Sequence, residues 1–377
     1  MSFDVIILGL GAMGSAAAQH LAQRGKRVLG LDQFTPPHDQ GSSHGGSRII
    51  RQAYFESPDY IPLVLRAYEL WHELEKKRTG RLLHTTGGLV IGNRSGDLVA
   101  RTIAAARTHN IEIDVLERAE LCRRFPAFVP LPDDLGVFEH HAGYLIPEDC
   151  IRAQGGAALR SGAELHFDEK VLSWSAEDGR VSVHTSHRTY EAGHLVIASG
   201  PWAGEVLRSA LPLRITRQVT AWMQPRGGVD PFMPPRFPVF ISESLGGYFP
   251  AYGFPAIDGP AGGIKVAIHG SDNECTPETV ERTVNDVDIM QIVETLRQRI
   301  PTIDGELIRA KTCLYTMSPD EHFVIGPHPR SSSCTVACGF SGHGFKFAPV
   351  VGEILADLAI AGSTTHPISL FYPKRFA

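Results

Sequence analysis

The chain opens on a short apolar run, FDVIIL at residues 3–8, without the polar alternation of a half-exposed strand. Such a run predicts a strand buried on both faces. Small and apolar residues at 12–24 (AMGSAAAQHLAQR) predict a helix, closed by Gly25. RVLGLD at 27–32 predicts a second strand, which completes a βαβ unit. From about Asp59 to Lys77, Val64, Ala67, Tyr68, Trp71 and Leu74 recur at helical spacing. The charge run ELEKKR within it reads as a solvated face. HTTGGLVIG then reads as a strand entering a new sheet, and residues 100–128 as helix followed by loop. A small-residue helix from Glu148 to Arg160 precedes the strands ELHF, VSVHT and HLVIASG. The pattern changes over roughly 215–310, where Pro, Gly and short alternating runs (VFIS, GIKVAIHG) predict an antiparallel sheet, closed by a helix over about Asp286–Arg299. Strand and loop return after that, with a last helix near 349–361.

These elements predict an α/β plus α+β protein made of two interleaved domains. A Rossmann-like nucleotide domain takes 1–80, 145–214 and 311–377. A substrate domain on an antiparallel sheet takes 81–144 and 215–310. With 377 residues, 43% of them hydrophobic, there is material for two cores. The net charge of −5, with Lys and Arg scattered, argues against nucleic-acid or anionic-membrane partners. No apolar run reaches the roughly 18–20 residues of a membrane span. Asp4 stands where a signal peptide would carry basic residues. The six cysteines show no CxxC spacing, which points to reduced thiols in a cytoplasmic protein. Cys334 and Cys338 sit in a strand-like run with no further ligand at metal spacing, so no metal is expected.

Gly9, Gly11 and Gly14 form G-x-G-x-x-G between the first strand and helix. The first permits a tight turn, the second lets a pyrophosphate approach the backbone, and the third lets helix and strand pack closely. The helix N-terminus offers free N–H groups and partial positive charge. Asp32 ends the second strand, 18 residues after Gly14, where an acid accepts from ribose hydroxyls. A dinucleotide is implied, and the acid argues against NADP. The motif alone leaves NAD and FAD open. HLVIASGPWAG at 194–204 places a second small-residue turn at the same end of the sheet, which suits a flavin nucleotide or a plain strand and turn.

Three further segments carry chemistry: GSSHGGSRIIRQAY at 41–54, KTCLYT with PDEHFVIG across 311–326, and GFSGHGFKFAPVVGE at 339–353. In order and spacing the whole chain resembles the monomeric sarcosine oxidase and N-methyltryptophan oxidase family. The resemblance implies an FAD-dependent oxidase of secondary amino acids that acts as a monomer with oxygen as acceptor. The products would be the demethylated amine, an aldehyde and hydrogen peroxide. Gly342, Gly344, Phe345 and Lys346 would run along the flavin, with Gly339 and the other glycines letting backbone lie close to a flat ring. The following helix would point its positive end at the pyrimidine. Lys346 would also pair with Arg51 on the substrate carboxylate, Arg being suited to a carboxylate. His44 and Arg48 would lie near the flavin, and Cys313 would carry it through a thioether. Tyr252 and His269 would line the substrate side, and Lys265 would face the flavin from the other side and activate oxygen.

Read without the family, Arg48 and Arg51 on one helical turn could equally make surface ion pairs. Cys313 could be a structural thiol, and His269 an ordinary strand histidine. The family segment GSHHGDTR appears here as GSSHGGSR, with Ser43, Gly46 and Ser47 in place of His, Asp and Thr. Other secondary amines (pipecolate, proline, a fructosyl amino acid) remain alternatives. So do a flavin dehydrogenase with a protein or quinone acceptor, and an NAD enzyme.

Overall fold

In the computed structural model, which describes residues 2–177, 179–208, 210–244 and 249–376, the first strand lies inside an eight-stranded sheet. Phe3–Leu8 pairs in parallel with Val28–Leu31 on one side and Thr189–Ile197 on the other. Glu164–His166 extends the sheet beyond Val28–Leu31, and Ser331–Cys338 pairs in parallel with Thr189–Ile197. Two antiparallel hairpin partners, Val171–Glu177 with Arg180–Thr185 and Val324–His328 with Ser331–Cys338, complete it. Val5–Leu8 are almost wholly buried, as a run apolar on both faces requires. Helix Ala12–Gln23 packs between helices Pro147–Arg160 and Ala348–Ala361. Its small residues permit this: a Cβ on Gly352 would meet the Ala16 carbonyl carbon at 2.5 Å.

A nine-stranded sheet carries the other half. It is mainly antiparallel, with Val239–Ser242 joined in parallel to Gly88–Asn93. Its backbone is the long pairing of Arg214–Gln224 with Glu306–Met317, in which Cys313 stands opposite Gln218. The expected division at residue 311 falls inside this strand, so Cys313 and Tyr315 are held by the second sheet while their neighbours reach toward the first. We retain the two-domain division as a proposal, with this strand shared between the halves. A three-stranded sheet joins Arg48–Ile50, Leu83–Thr85 and Gly143–Leu145.

Three local readings need correction. Arg48 begins a strand rather than a helical turn, because Ile49 and Ile50 pair with Gly143 and Tyr144 of a distant segment. Arg51 follows the strand directly, three residues after Arg48, and the two side chains diverge to different partners. Residues 100–128 hold more than helix and loop: helix Asp97–Thr108, strand Ile113–Leu116 and helix Arg118–Arg124. The helix starting at Asp286 ends at Leu296, short of Arg299, whose fully buried guanidinium pairs with buried Asp134. Of the six thiols, all free, Cys122 is exposed and Cys275 partly so. Among the described residues no helix is long and apolar enough to cross a membrane, and no cluster of side chains is arranged to hold a metal.

Candidate active site

A cleft with about 1390 Å³ of empty space runs from the GxGxxG turn to the segments at 41–43 and 339–345. The three glycines differ in what surrounds them. Gly9 has φ +88°, and a Cβ there would lie 2.7 Å from the Ala198 carbonyl oxygen. A Cβ on Gly14 would overlap the Gly9 carbonyl. On Gly11 it would meet nothing closer than Ser43 Oγ at 3.7 Å, so it would project into the cleft. Gly11 caps helix Ala12–Gln23 without a side-chain acceptor, leaving first-turn N–H groups available to an anion. Asp32 is fixed by two backbone donors, Leu10 N to Oδ2 at 2.7 Å and Phe34 N to Oδ1 at 2.9 Å. Two hydroxyl groups of the lining, Ser199 Oγ and Thr316 Oγ1, are buried without a partner.

At the other end of the cleft three basic side chains surround Cys313. Arg48 Nη2 donates to Ser42 O at 2.8 Å and lies 3.6 Å from Cys313 Sγ, and Nη1 donates to Ser47 O at 2.8 Å. Lys265, 2% exposed, donates to Gly45 O (2.7 Å), Ser47 O (2.9 Å) and Ser47 Oγ (3.2 Å). Its ammonium also lies over the rings of Phe254 and Trp222 at 4.9 and 5.2 Å. Burial, then repulsion from Arg48, holds Lys265 well below the usual lysine pKa. For Cys313 burial pushes upward but loses: His44, Arg48 and Lys265 bring the thiol down to about 7. The shift favours the thiolate, the form that reacts. His44 Nε2 faces Gly41 O at 3.1 Å, and its Nδ1 is buried without a partner.

On the opposite face of the Arg48–Ile50 strand lies a second buried cluster. Arg51 donates from Nη2 to both oxygens of Glu56 (2.8 and 2.6 Å) and from Nη1 to Ala53 O (2.6 Å). Its guanidinium lies 4.2 Å from the ring centres of both Tyr54 and Phe55. Lys346 Nζ donates to His343 O at 2.8 Å and lies 3.4 Å from Tyr54 OH. Its backbone is anchored by Trp71 Nε1, which donates to Lys346 O at 2.9 Å. Burial, then Arg51, lowers the Lys346 pKa to about 7. Burial pushes the Glu56 carboxyl up, but Arg51 and the nearby His343 and Lys346 hold it at about 2. His269, lowered to about 4 by burial, faces Tyr315 OH at 3.3 Å, and Tyr252 packs edge-on against it at 6.0 Å.

Of the expected residues, Gly9, Gly11, Asp32, Arg48, Gly342, Gly344 and Phe345 line the cleft. Gly14 supports the turn from behind. The side chains of Cys313, His44 and Lys265 stand beside the cleft around Arg48. Lys346 is set apart from the cleft, with Arg51. Tyr315, on the lining and bonded to His269, joins the two clusters. Tyr54, Glu56, Glu148, Tyr315 and His343 were not singled out from sequence. Tyr315 lies within KTCLYT, and Glu56 follows Arg51 by five residues, the signals that could have found them.

The profile of the FAD dependent oxidoreductase family matches residues 4–358. The chain belongs to that family. It is 49% identical over 379 aligned residues to monomeric sarcosine oxidase of Streptomyces avermitilis, covering 100% of this chain and 98% of the relative. It is 33% identical to N-methyl-L-tryptophan oxidase of Salmonella heidelberg, covering both chains completely. Among solved structures, NikD, described as an unusual amino acid oxidase essential for nikkomycin biosynthesis, superposes with a TM-score of 0.86 at 26% identity. That superposition covers 99% of this chain and 97% of NikD. The family's cofactor fits the cleft on local grounds. Gly11 leaves open space beside free helix N–H groups for a pyrophosphate, Asp32 stands at the strand end for a ribose, and the orphaned Ser199 and Thr316 hydroxyls await partners.

Proposed function

We propose that the chain is an FAD-dependent oxidase of N-methyl or other N-alkyl amino acids, with sarcosine and N-methyltryptophan as leading candidates. The observation that carries this reading is the pair of buried cations, Arg51 bonded to the Glu56 carboxylate and Lys346 close enough to lower its pKa, both lying over the ring of Tyr54, with His269 near enough to feel all three charges. Two cations and one anion leave a net positive, water-poor site, which favours an incoming carboxylate. In this reading Arg51 and Lys346 hold the substrate carboxylate, and Glu56 yields its place on Arg51. His269, held neutral by burial, and the Tyr252 and Tyr315 hydroxyls suit an amine bound in its neutral form. FAD supplies the acceptor for a hydride equivalent and the route of those electrons to oxygen. Lys265, which in its protonated form has no carboxylate bonded to it among the described residues, would favour the negative charge that develops as oxygen is reduced. The low-pKa thiol of Cys313 is the reading's attachment point for covalent flavin.

The protein is expected to act as a monomer. The test is aerobic incubation with a panel of secondary amino acids and peroxide detection. Turnover of N-methyl amino acids supports the reading, and no turnover with any secondary amino acid refutes it. Yellow colour that stays with acid-precipitated protein tests the covalent link separately.

A further inference from the structure

Glu148 stands in the first turn of helix Pro147–Arg160, 103 residues from the segment it grips. One of its oxygens accepts from Gly45 N at 2.7 Å and from Gly46 N at 3.2 Å. Both glycines have left-handed backbones, φ +94° and +74°, so successive N–H groups converge on one anion. The other carboxylate oxygen is buried and without a partner, so Glu148 acts through Oε1 alone. The same turn presents acceptors on its far side. Gly45 O receives Lys265 Nζ and Ser47 N, at 2.7 and 2.9 Å, and Ser47 O receives Lys265 and Arg48 at 2.9 and 2.8 Å. A lysine ammonium has three donors. All three of Lys265 are spent on this turn: Gly45 O, Ser47 O and Ser47 Oγ. The position of the ammonium is therefore set by the conformation of residues 45–47. A glycine pair is the least self-determined backbone available, so something outside the turn must hold it.

We propose that Glu148 is a positioning residue for Lys265: by binding the Gly45 and Gly46 N–H groups it fixes the turn whose carbonyls hold the ammonium beside Arg48 and Cys313. This rests on the reading in which Lys265 serves the reaction with oxygen.

The test uses the flavin-loaded protein, reduced anaerobically with one equivalent of dithionite and then mixed with oxygen, so that no amine substrate is needed. Crystal structures of the same variants report the Lys265–Gly45 contact. Glu148→Ala removes the clamp. Glu148→Asp keeps the charge but withdraws it from reach, and serves if the alanine variant does not fold. Glu148→Gln keeps an oxygen acceptor without the charge. The alanine and aspartate variants are expected to reoxidise about tenfold more slowly and to lose the Lys265–Gly45 contact. The glutamine variant is expected to recover to within about threefold of the unaltered protein, with the contact intact. Losses below fivefold in the clamp-less variants, an unmoved contact, or a glutamine variant as slow as the alanine one would each overturn the proposal. Failure of the unaltered protein to oxidise any amine would refute the proposed function instead, and would leave this comparison readable.

Discussion

Glu56→Gln tests the carboxylate site most directly. Arg51 Nη2 lies 2.8 and 2.6 Å from the two Glu56 oxygens, so a substrate carboxylate can take that nitrogen only by displacing them. Hydrogen bonds to a charged group contribute about 1.5–3 kcal/mol, and ionic pairs are roughly twice as strong as neutral ones. Replacing the carboxylate by an amide removes one of the two contacts and the negative charge, which makes displacement easier by about 1–2 kcal/mol. At about 1.4 kcal/mol per tenfold, a carboxylate ligand should bind roughly 5- to 30-fold more tightly. The assay is titration with acetate, followed through the flavin absorbance, so that binding is read apart from turnover. The free variant should also melt earlier, because Arg51 keeps its burial and loses a counterion. Saturating acetate should restore more stability to the variant than to the unaltered protein. Arg51→Met should weaken acetate binding and abolish the gain from Glu56→Gln in the double variant. Acetate affinity unchanged or reduced in Glu56→Gln would refute the reasoning, since Glu56 would then not occupy the ligand's position.

Lys346, lowered to about 7 from 10.5, binds a carboxylate only when protonated. Acetate affinity should therefore fall as pH rises above about 7, and Lys346→Met should bind weakly with little pH dependence. For stability the sign is opposite to that of a salt-bridged lysine. Between about 7 and 10.5 the unfolded chain holds more protons than the folded one, so stability rises with pH across that window. Melting curves of Lys346→Met should lack this rise. Cys313→Ser should release its flavin on acid precipitation, and a still-yellow pellet would place the link elsewhere. Asp134→Ala strands the buried guanidinium of Arg299 and should cost about 3–5 kcal/mol in urea unfolding while kcat/KM is unchanged.

What was legible in the sequence was what local pattern decides. The βαβ unit lies within the first 32 residues, and Gly9, Gly11, Gly14 and Asp32 take their positions from adjacent elements. The strands of 215–310 alternate clearly enough to read as antiparallel. The misreadings arose where a distant partner decides. Arg48 and Arg51 fit a helical face by spacing alone, and only pairing with Gly143–Leu145 makes the segment a strand. Glu148 reads as an ordinary acid in the first turn of a helix. Nothing in its neighbourhood of the chain reveals that its carboxylate reaches Gly45 and Gly46. Glu56 follows Arg51 by five residues, but that spacing gains its meaning only from where Arg51 points.

The misread strand is also what organises the site. Two guanidinium groups on one helical face, about 4 Å apart, would repel by ~4 kcal/mol at a near-surface dielectric and by more when buried. The extended segment instead sends Arg48 to Ser42, Ser47 and Cys313, and Arg51, just past the strand, to Ala53 and Glu56. Each cation meets its own acceptors, and neither shares a partner with the other. One short strand and the residue after it therefore put one cation beside the Cys313 thiol and the other on the Glu56 carboxylate. Tyr315 stands between them, because the strand that holds it is paired across the second sheet while its ring lines the cleft. The departures at Ser43, Gly46 and Ser47 all fall on the Arg48 side. Ser47 still supplies both an oxygen and a hydroxyl to Lys265, and Gly46 leaves its N–H to Glu148. The substitutions thus fall on the Arg48 side of the strand and not on Arg51; under the proposed function this separates a change in flavin behaviour from a change in carboxylate recognition.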